Sequence, residues 1–144
     1  MRIFLDTSSL IKLYHEEQGT KELDFFLKQN SITSIILSEL AKIEFSSAIW
    51  KKVRTKELSV EDASELVELF KSDYSNYYFA PTNSNLIESA NNLINKYGNN
   101  GLRTLDSIQL ASAIAMKGSL EIVFTADKLL NELFISEGLK TNVT

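Results

Sequence analysis

The sequence predicts an α/β fold in which a parallel sheet is covered by helices on both faces. Short apolar runs with strand character alternate with longer stretches of helical periodicity, an order that builds parallel strands joined by crossover helices. The chain has 144 residues, 44% of them hydrophobic and 24% charged, which suits one core and leaves no mass for a second. Its single proline, Pro81, and the lack of any repeat or low-complexity tract give no place for a linker, so residues 1–144 read as one domain.

The first strand is Arg2–Leu5, and Asp6 follows it as a candidate N-cap for a helix opened by Thr7-Ser8-Ser9-Leu10-Ile11. Ile32–Ile36 is the second apolar run, followed by a helix from about Leu37 to Lys52. From Val60 to Tyr74, the residues Val60, Ala63, Val67, Phe70 and Tyr74 fall on one helical stripe, with Ser59 and Asp62 as a capping box. Tyr77–Ala80 is the third strand. Leu86, Ala90, Leu93 and Tyr97 form the next stripe, with Gly98 where a left-handed C′ residue is expected. An apolar helix then begins near Thr104. Glu121–Thr125 is the fourth strand, a helix starts at Lys128, and Lys140–Val143 is a possible last strand. In sheets of this kind, ligands bind beyond the carboxyl ends of the strands.

Composition narrows the chemistry. Cysteine is absent, which excludes disulfides and thiolate metal sites and leaves oxygen ligands or the lone His15 for a metal. Oxygen ligands favour a hard cation such as Mg²⁺ or Mn²⁺. The run Met1-Arg2-Ile3-Phe4-Leu5 ends in an acid and is too short for a signal peptide or a membrane span, so the expected location is the cytoplasm, with no membrane partner. A net charge of −4 gives no global attraction to nucleic acid, so any such binding must rest on local basic patches.

Most acids lie where solvated charges belong: Glu57, Glu61, Asp62, Glu65 and Glu68 lie on or beside the polar face of one helix. Glu44 does not. Its same-face neighbours are Leu40, Ala41, Phe45 and Ala48, so it needs a cation or a hydrogen-bond donor unless the stripe is exposed at that edge. Asp6 and Asp127 stand at strand-to-helix junctions, and Asp106 falls in the first turn of an apolar helix. Taken singly, each aspartate is explained by capping or by the helix dipole. Brought together at one sheet edge, these acids would repel unless a cation or protons compensated them.

The motifs Leu5-Asp6-Thr7-Ser8, Glu44 in Glu39-Leu40-Ala41-Lys42-Ile43-Glu44-Phe45, Leu105-Asp106 before Ile108-Gln109-Leu110-Ala111, and Thr125-Ala126-Asp127 resemble, in order and interval, those of PIN domains of the VapC toxin type. The resemblance covers essentially the whole chain. It implies a three-layer α/β/α sandwich around a parallel sheet, and metal-ligand roles for Asp6, Glu44, Asp106 and Asp127, with Thr125 as the hydroxyl before the last aspartate. It further implies a Mg²⁺- or Mn²⁺-dependent endoribonuclease, a toxin held by a small antitoxin protein, and a homodimer. Asp6 and Asp106 are the expected direct ligands, while Glu44 and Asp127 bind through water or orient the attacking water.

Other features carry less. Lys51-Lys52-Val53-Arg54-Thr55-Lys56 is the densest basic run and reads first as a solvated helix end, secondarily as a phosphate track. Arg103 and Lys128, close in sequence to the acids, either touch substrate phosphates or neutralise the carboxylates. His15 has no second imidazole or thiolate to share a metal with and reads as structural. Tyr14, Phe25, Phe26 and Trp50 read as core or interface residues. The rival reading is a catalytically silent RNA-binding or regulatory module that keeps the fold with its acids as caps. A phosphatase or receiver-type domain is weakened by the lack of an Asp-x-Asp pattern at Asp6.

Overall fold

A computed structural model describes residues 1–142. Four parallel strands, β1 (Arg2–Leu5), β2 (Ser34–Ser38), β3 (Tyr77–Ala80) and β4 (Ile122–Phe124), form one sheet in the order β3-β2-β1-β4. The central register places Ile3 opposite both Ile35 and Ile122. Side chains alternate across this sheet as the pleat requires. Ile3, Leu5, Leu37, Ile122 and Phe124 pack in one core with α1 (Thr7–Ile11), α2 (Thr20–Gln29), α3 (Ala41–Arg54) and α4 (Val60–Ser72). Phe4, Ile36, Ala80 and Val123 pack in the other with α5 (Ser84–Tyr97), α6 (Thr104–Ala115) and α7 (Lys128–Ser136). Helices therefore cover both faces, and the result is a three-layer α/β/α sandwich. Among the described residues no helix is long and apolar enough to cross a membrane.

Several boundaries differ from the sequence reading, each for a pairing reason. The second strand runs two residues later than Ile32–Ile36, because Ser34 pairs with Arg2 while Leu37 and Ser38 continue the ladder against Phe79 and Ala80 of β3. That pairing takes Leu37 and Ser38 away from the following helix, which begins at Ala41 instead of Leu37 and runs on to Arg54. The Val60–Tyr74 stripe ends as an α-helix at Ser72 and tightens into a 3₁₀ turn at Tyr74–Asn76, with Ser59 Oγ accepting from the Asp62 amide at 3.0 Å. Gly98 is right-handed (φ −55°) and opens a further 3₁₀ turn, so the left-handed reversal falls at Gly101 (φ 88°). The fourth strand stops at Phe124 because the Thr125 amide donates to Asn142 Oδ1. For Lys140–Val143 the described part is an isolated parallel bridge between Thr141 and Val123, and Val143 lies outside the described residues.

The first core is aromatic at its outer end. Phe70, 1% exposed, meets the rings of Tyr14, Phe45, Tyr74, Tyr77 and Phe79 at centroid separations of 4.4 to 6.5 Å. These contacts tie α4 to the turn after α1, to α3 and to β3. Truncation of a buried phenylalanine removes its transfer free energy and leaves a cavity, so Phe70→Ala should lower the unfolding free energy by about 3–5 kcal/mol. Urea denaturation checks this; a loss below about 1 kcal/mol would mean that the cluster collapses around the cavity.

Candidate active site

The strand order makes the site. From β1 the chain crosses to β2 on one side, while β4 lies on the other, so the carboxyl ends of β1 and β4 flank the point where connectivity reverses. Asp6 follows β1 and Thr125 follows β4. The Asp6 amide extends their ladder by donating to the Phe124 carbonyl at 3.1 Å.

Beyond that bond the chain turns into helices, and side chains take over the pairing. Asp6 Oδ1 caps α1 by accepting from the Ser9 amide (2.9 Å) and accepts from Ser8 Oγ (2.7 Å). Asp6 Oδ2 accepts from Thr125 Oγ1. The Thr125 hydroxyl in turn accepts from the Asp127 amide at 3.0 Å, and Asp127 Oδ1 caps α7 at the Leu130 amide (2.7 Å). Ser8 Oγ completes the seam by accepting from the Ala126 amide at 3.0 Å. Both helix starts are thus fastened to each other as well as to their strands. Asp6 is 3% exposed, and this burial pushes its carboxyl up to about 6 even though the bonds from Thr125, Ser8 and Ser9 pull the other way.

A second group closes on Glu44. Its Oε1 accepts from Thr7 Oγ1 (2.8 Å) and from Gln109 Nε2 (2.7 Å), and the same Gln109 nitrogen donates to Thr7 Oγ1 at 3.0 Å. The donors required on this apolar helix face are therefore a hydroxyl and an amide, supplied by α1 and α6. Gln109 is buried, and its Oε1 accepts no hydrogen bond among the described residues.

Asp106, one helical turn before Gln109, is half-buried. It borders a cleft of about 690 Å³ that Glu44 and Arg103 also line. Burial first, then the negative charges of Asp127 and Glu44, holds the Asp106 carboxyl above its ordinary range, and Arg103 works in the opposite direction. Glu44, Asp106 and Asp127 therefore lie within electrostatic reach of one another. Asp6 is joined to Asp127 through Thr125, and to Glu44 through its chain neighbour Thr7.

Among the described residues none of these four carboxylates has a Lys, Arg or His within ion-pair distance, whereas Glu17, Glu57, Glu68 and Glu137 do. Nor do three metal-ligating side chains, among the described residues, close on one point. Asp6, Asp127 and Glu44 are held along the seam by hydrogen bonds, and Asp106 faces them across the cleft with Arg103 as its nearest electrostatic counterweight.

Sequence reading assigned no task to Thr7, Ser8 or Gln109, although each stood inside a motif. The available signal was Gln109, a polar side chain in the apolar stretch Ile108–Ala111, where burial requires partners. His15 is half-buried in the turn after α1 and has no place at the seam.

The PIN domain family matches residues 3–133. Among solved structures, the chain is similar to the Mycobacterium tuberculosis VapC20, a sarcin–ricin loop cleaving toxin, with 14% identity, a TM-score of 0.68 and coverage of 91% of this chain and 94% of that one. It is also similar to VapBC2 from Rickettsia felis bound to a DNA fragment from their promoter, with 14% identity, a TM-score of 0.65 and coverage of 99% and 98%. VapBC-1 from nontypeable Haemophilus influenzae gives 13% identity, a TM-score of 0.63 and coverage of 99% and 97%. At such identities these structures show a shared fold. No curated protein sequence matches the chain.

The buried Asp6 gives a pH prediction. Its folded pKa of about 6 lies above its ordinary 3.8, so the fold binds this proton more tightly than the unfolded chain does. The resulting stability is complete below about pH 4 and is lost as pH rises through about 6. Asp6→Asn removes this dependence and keeps a capping oxygen. In metal-free buffer the variant should gain on the order of 3 kcal/mol relative to wild type between about pH 4 and pH 7. A constant offset from altered hydrogen bonds leaves the trend intact. Parallel melting curves at all pH values would show that Asp6 is not strained by its burial.

Proposed function

The chain belongs to the PIN domain family, and from that premise we propose that it is a metal-dependent endoribonuclease, the toxin of a toxin–antitoxin pair. The observation that carries the proposal is the seam itself: Asp6, Glu44, Asp106 and Asp127 at the switch point of a parallel sheet, with no cation paired to any of them among the described residues. Acids placed only as caps or solvated charges have no need to gather, and here burial, with the charges of Asp127 and Glu44 added to it, raises the proton affinity of Asp106. A protein keeps such repulsion where the site uses it.

The donor set suits a hard divalent ion, since it consists of oxygen atoms with uncompensated charge. Asp6 and Asp106 are the residues that would hold Mg²⁺ or Mn²⁺ directly, with Glu44 and Asp127 acting through water. When bound, such an ion supplies charge stabilisation for a phosphodiester and lowers the pKa of water.

The protein's own atoms divide the remaining tasks. Both lone pairs of Asp6 Oδ1 are used by Ser8 and Ser9, and Thr125 takes one of Oδ2, so Asp6 can offer a single further lone pair in a fixed direction. Glu44 is anchored through Oε1, which leaves Oε2 to hold a water. Gln109 and Thr7 are positioning residues for Glu44. Thr125 positions Asp6 and the amide that opens the Asp127 turn. Asp106 borders the open cleft, where its carboxylate can reach an ion and substrate entering from solvent.

The similar structures supply the biological context. One is a sarcin–ricin loop cleaving toxin, and the other two are VapBC structures, one of them bound to promoter DNA. By analogy, RNA is the proposed substrate and a small antitoxin the proposed partner, with a homodimer as the proposed assembly.

Two measurements test this reading. Millimolar Mg²⁺ or Mn²⁺ should raise the Tm of wild type, by about 2.7 kcal/mol of stabilisation at a hundredfold excess over Kd. The rise should disappear in Asp6→Asn and Asp106→Asn, because each removes a charge from the ligand set. In cleavage assays on structured and unstructured RNAs with either metal, both variants should fold yet lose at least a hundredfold in rate, a typical scale for one electrostatic contribution to a transition state. Wild-type-like cleavage by well-folded Asp6→Asn would overturn the mechanism. A wild type whose melting is blind to both metals and which cuts no RNA would establish the silent-module alternative.

A further inference from the structure

A cluster of acids repels the substrate proposed for it, so some other part of the surface must hold the phosphate backbone. The basic run at the end of α3 resolves into distinct parts once its partners are known. Lys52 is held by Glu17 at 3.0 Å and Glu57 at 3.3 Å, and Lys12 is held by Glu17 at 3.3 Å. Lys56 stands beyond the helix in a left-handed turn (φ 65°). Lys51 and Arg54 differ from these: both are exposed in the last turn of α3, and neither has a carboxylate partner among the described residues.

These two cations also border the acid seam. One groove of about 460 Å³ is lined by Thr7, Ser8 and Glu44 together with Lys51 and Arg54. Lys51 borders a second groove as well, shared with Ser8 and Ala126. Ser8 and Ala126 belong to the hydrogen-bonded seam around Asp6. Along α3 the residues Glu44, Ser47, Lys51 and Arg54 recur at intervals of three and four, so a single helix face runs from the acid to the cations. At about 1.5 Å per residue, Lys51 lies roughly 10 Å and Arg54 roughly 15 Å from Glu44 along the axis. For a stacked strand rising about 3.4 Å per nucleotide, this is a span of roughly three to four nucleotides.

We infer that Lys51 and Arg54 are a phosphate-binding pair that leads a single RNA strand along α3 into the acid seam. The inference rests on the ribonuclease reading and adds residues that the four-acid site does not contain. In a chain of net charge −4, it also identifies where the local positive potential required for RNA binding resides.

The test uses binding, which does not depend on turnover. In an Asp6→Asn background, which leaves both cations in place, Lys51→Gln/Arg54→Gln is compared with its parent and with a Lys21→Gln/Lys28→Gln control on the exposed side of α2. The probe is a fluorescein-labelled 12-nucleotide single-stranded RNA of mixed sequence, titrated in Mg²⁺ buffer at several salt concentrations. The α3 pair should weaken binding roughly tenfold or more at low salt and flatten the slope of log K against log salt by about 1.4, since each lost single-strand phosphate contact contributes about 0.7. The α2 control should bind like the parent, and melting curves should show all proteins folded. If the α3 pair binds with the parent's affinity and salt slope, the inference is overturned while the nuclease reading stands. Equal weakening in the α2 control also overturns it, since binding then follows net charge alone. If neither the parent nor the wild-type protein in metal-free buffer binds RNA at any salt, both the inference and the ribonuclease reading fall.

Discussion

The hydrogen bond from Thr125 to the buried carboxylate of Asp6 is the constraint on which the rest of the site depends. Parallel strands diverge into helices at their carboxyl ends, and backbone pairing between β1 and β4 stops one residue beyond β1. The Thr125 hydroxyl replaces it, donating to Asp6 and accepting from the Asp127 amide. One side chain therefore fixes the exits of two neighbouring strands and the starts of two helices that lie on opposite faces of the sheet. Loss of this bond would leave a buried carboxylate with fewer donors and free both N-termini to move, so capping and site geometry are mechanically one feature.

The Glu44 triangle extends the same logic through the layers. Thr7 belongs to α1 and Gln109 to α6, while Glu44 comes from α3, and the two cores hold these helices in place through residues such as Phe45, Leu10 and Leu110. The apolar packing fixes the helix positions, and three polar side chains then use that fixed spacing to orient one carboxylate. An arginine in place of Gln109 would neutralise Glu44; the amide satisfies the oxygen and leaves the local charge unneutralised.

Much of this was legible in the sequence because the relevant signals are local. β1 and β3 match their sequence boundaries, and the Ser59, Asp6 and Asp127 caps follow from side-chain chemistry next to an apolar run. Local signals failed where a distant partner decides the outcome. Leu37 and Ser38 have the pattern of a helix start, yet β3 claims them for the sheet, and Gly98 looks like a terminator until the chain adds one more turn before Gly101. At the site, the sequence marks out each acid but not the manner of its satisfaction. Nothing near Glu44 in sequence points to Thr7 or Gln109, which stand 37 and 65 positions away.

The overall charge shows how far composition can mislead about partners. A net charge of −4 suggests a protein that avoids nucleic acid, but net charge counts compensated and uncompensated groups alike. Here they are sorted in space. Glu17 is paired with Lys12 and Lys52, which lower its proton affinity, and Glu137 is bound by Lys96 and Tyr97. Such groups contribute little to the field beyond a Debye length of about 8–10 Å. Among the charges without an ion-pair partner in the described residues, Glu44 at the sheet edge and Lys51 and Arg54 at the end of α3 lie at opposite ends of one helix face. The potential near this surface follows that axis rather than the sum of charges, so the spacing from acid to cation along α3 is a better guide to a polyanionic partner than the isoelectric point.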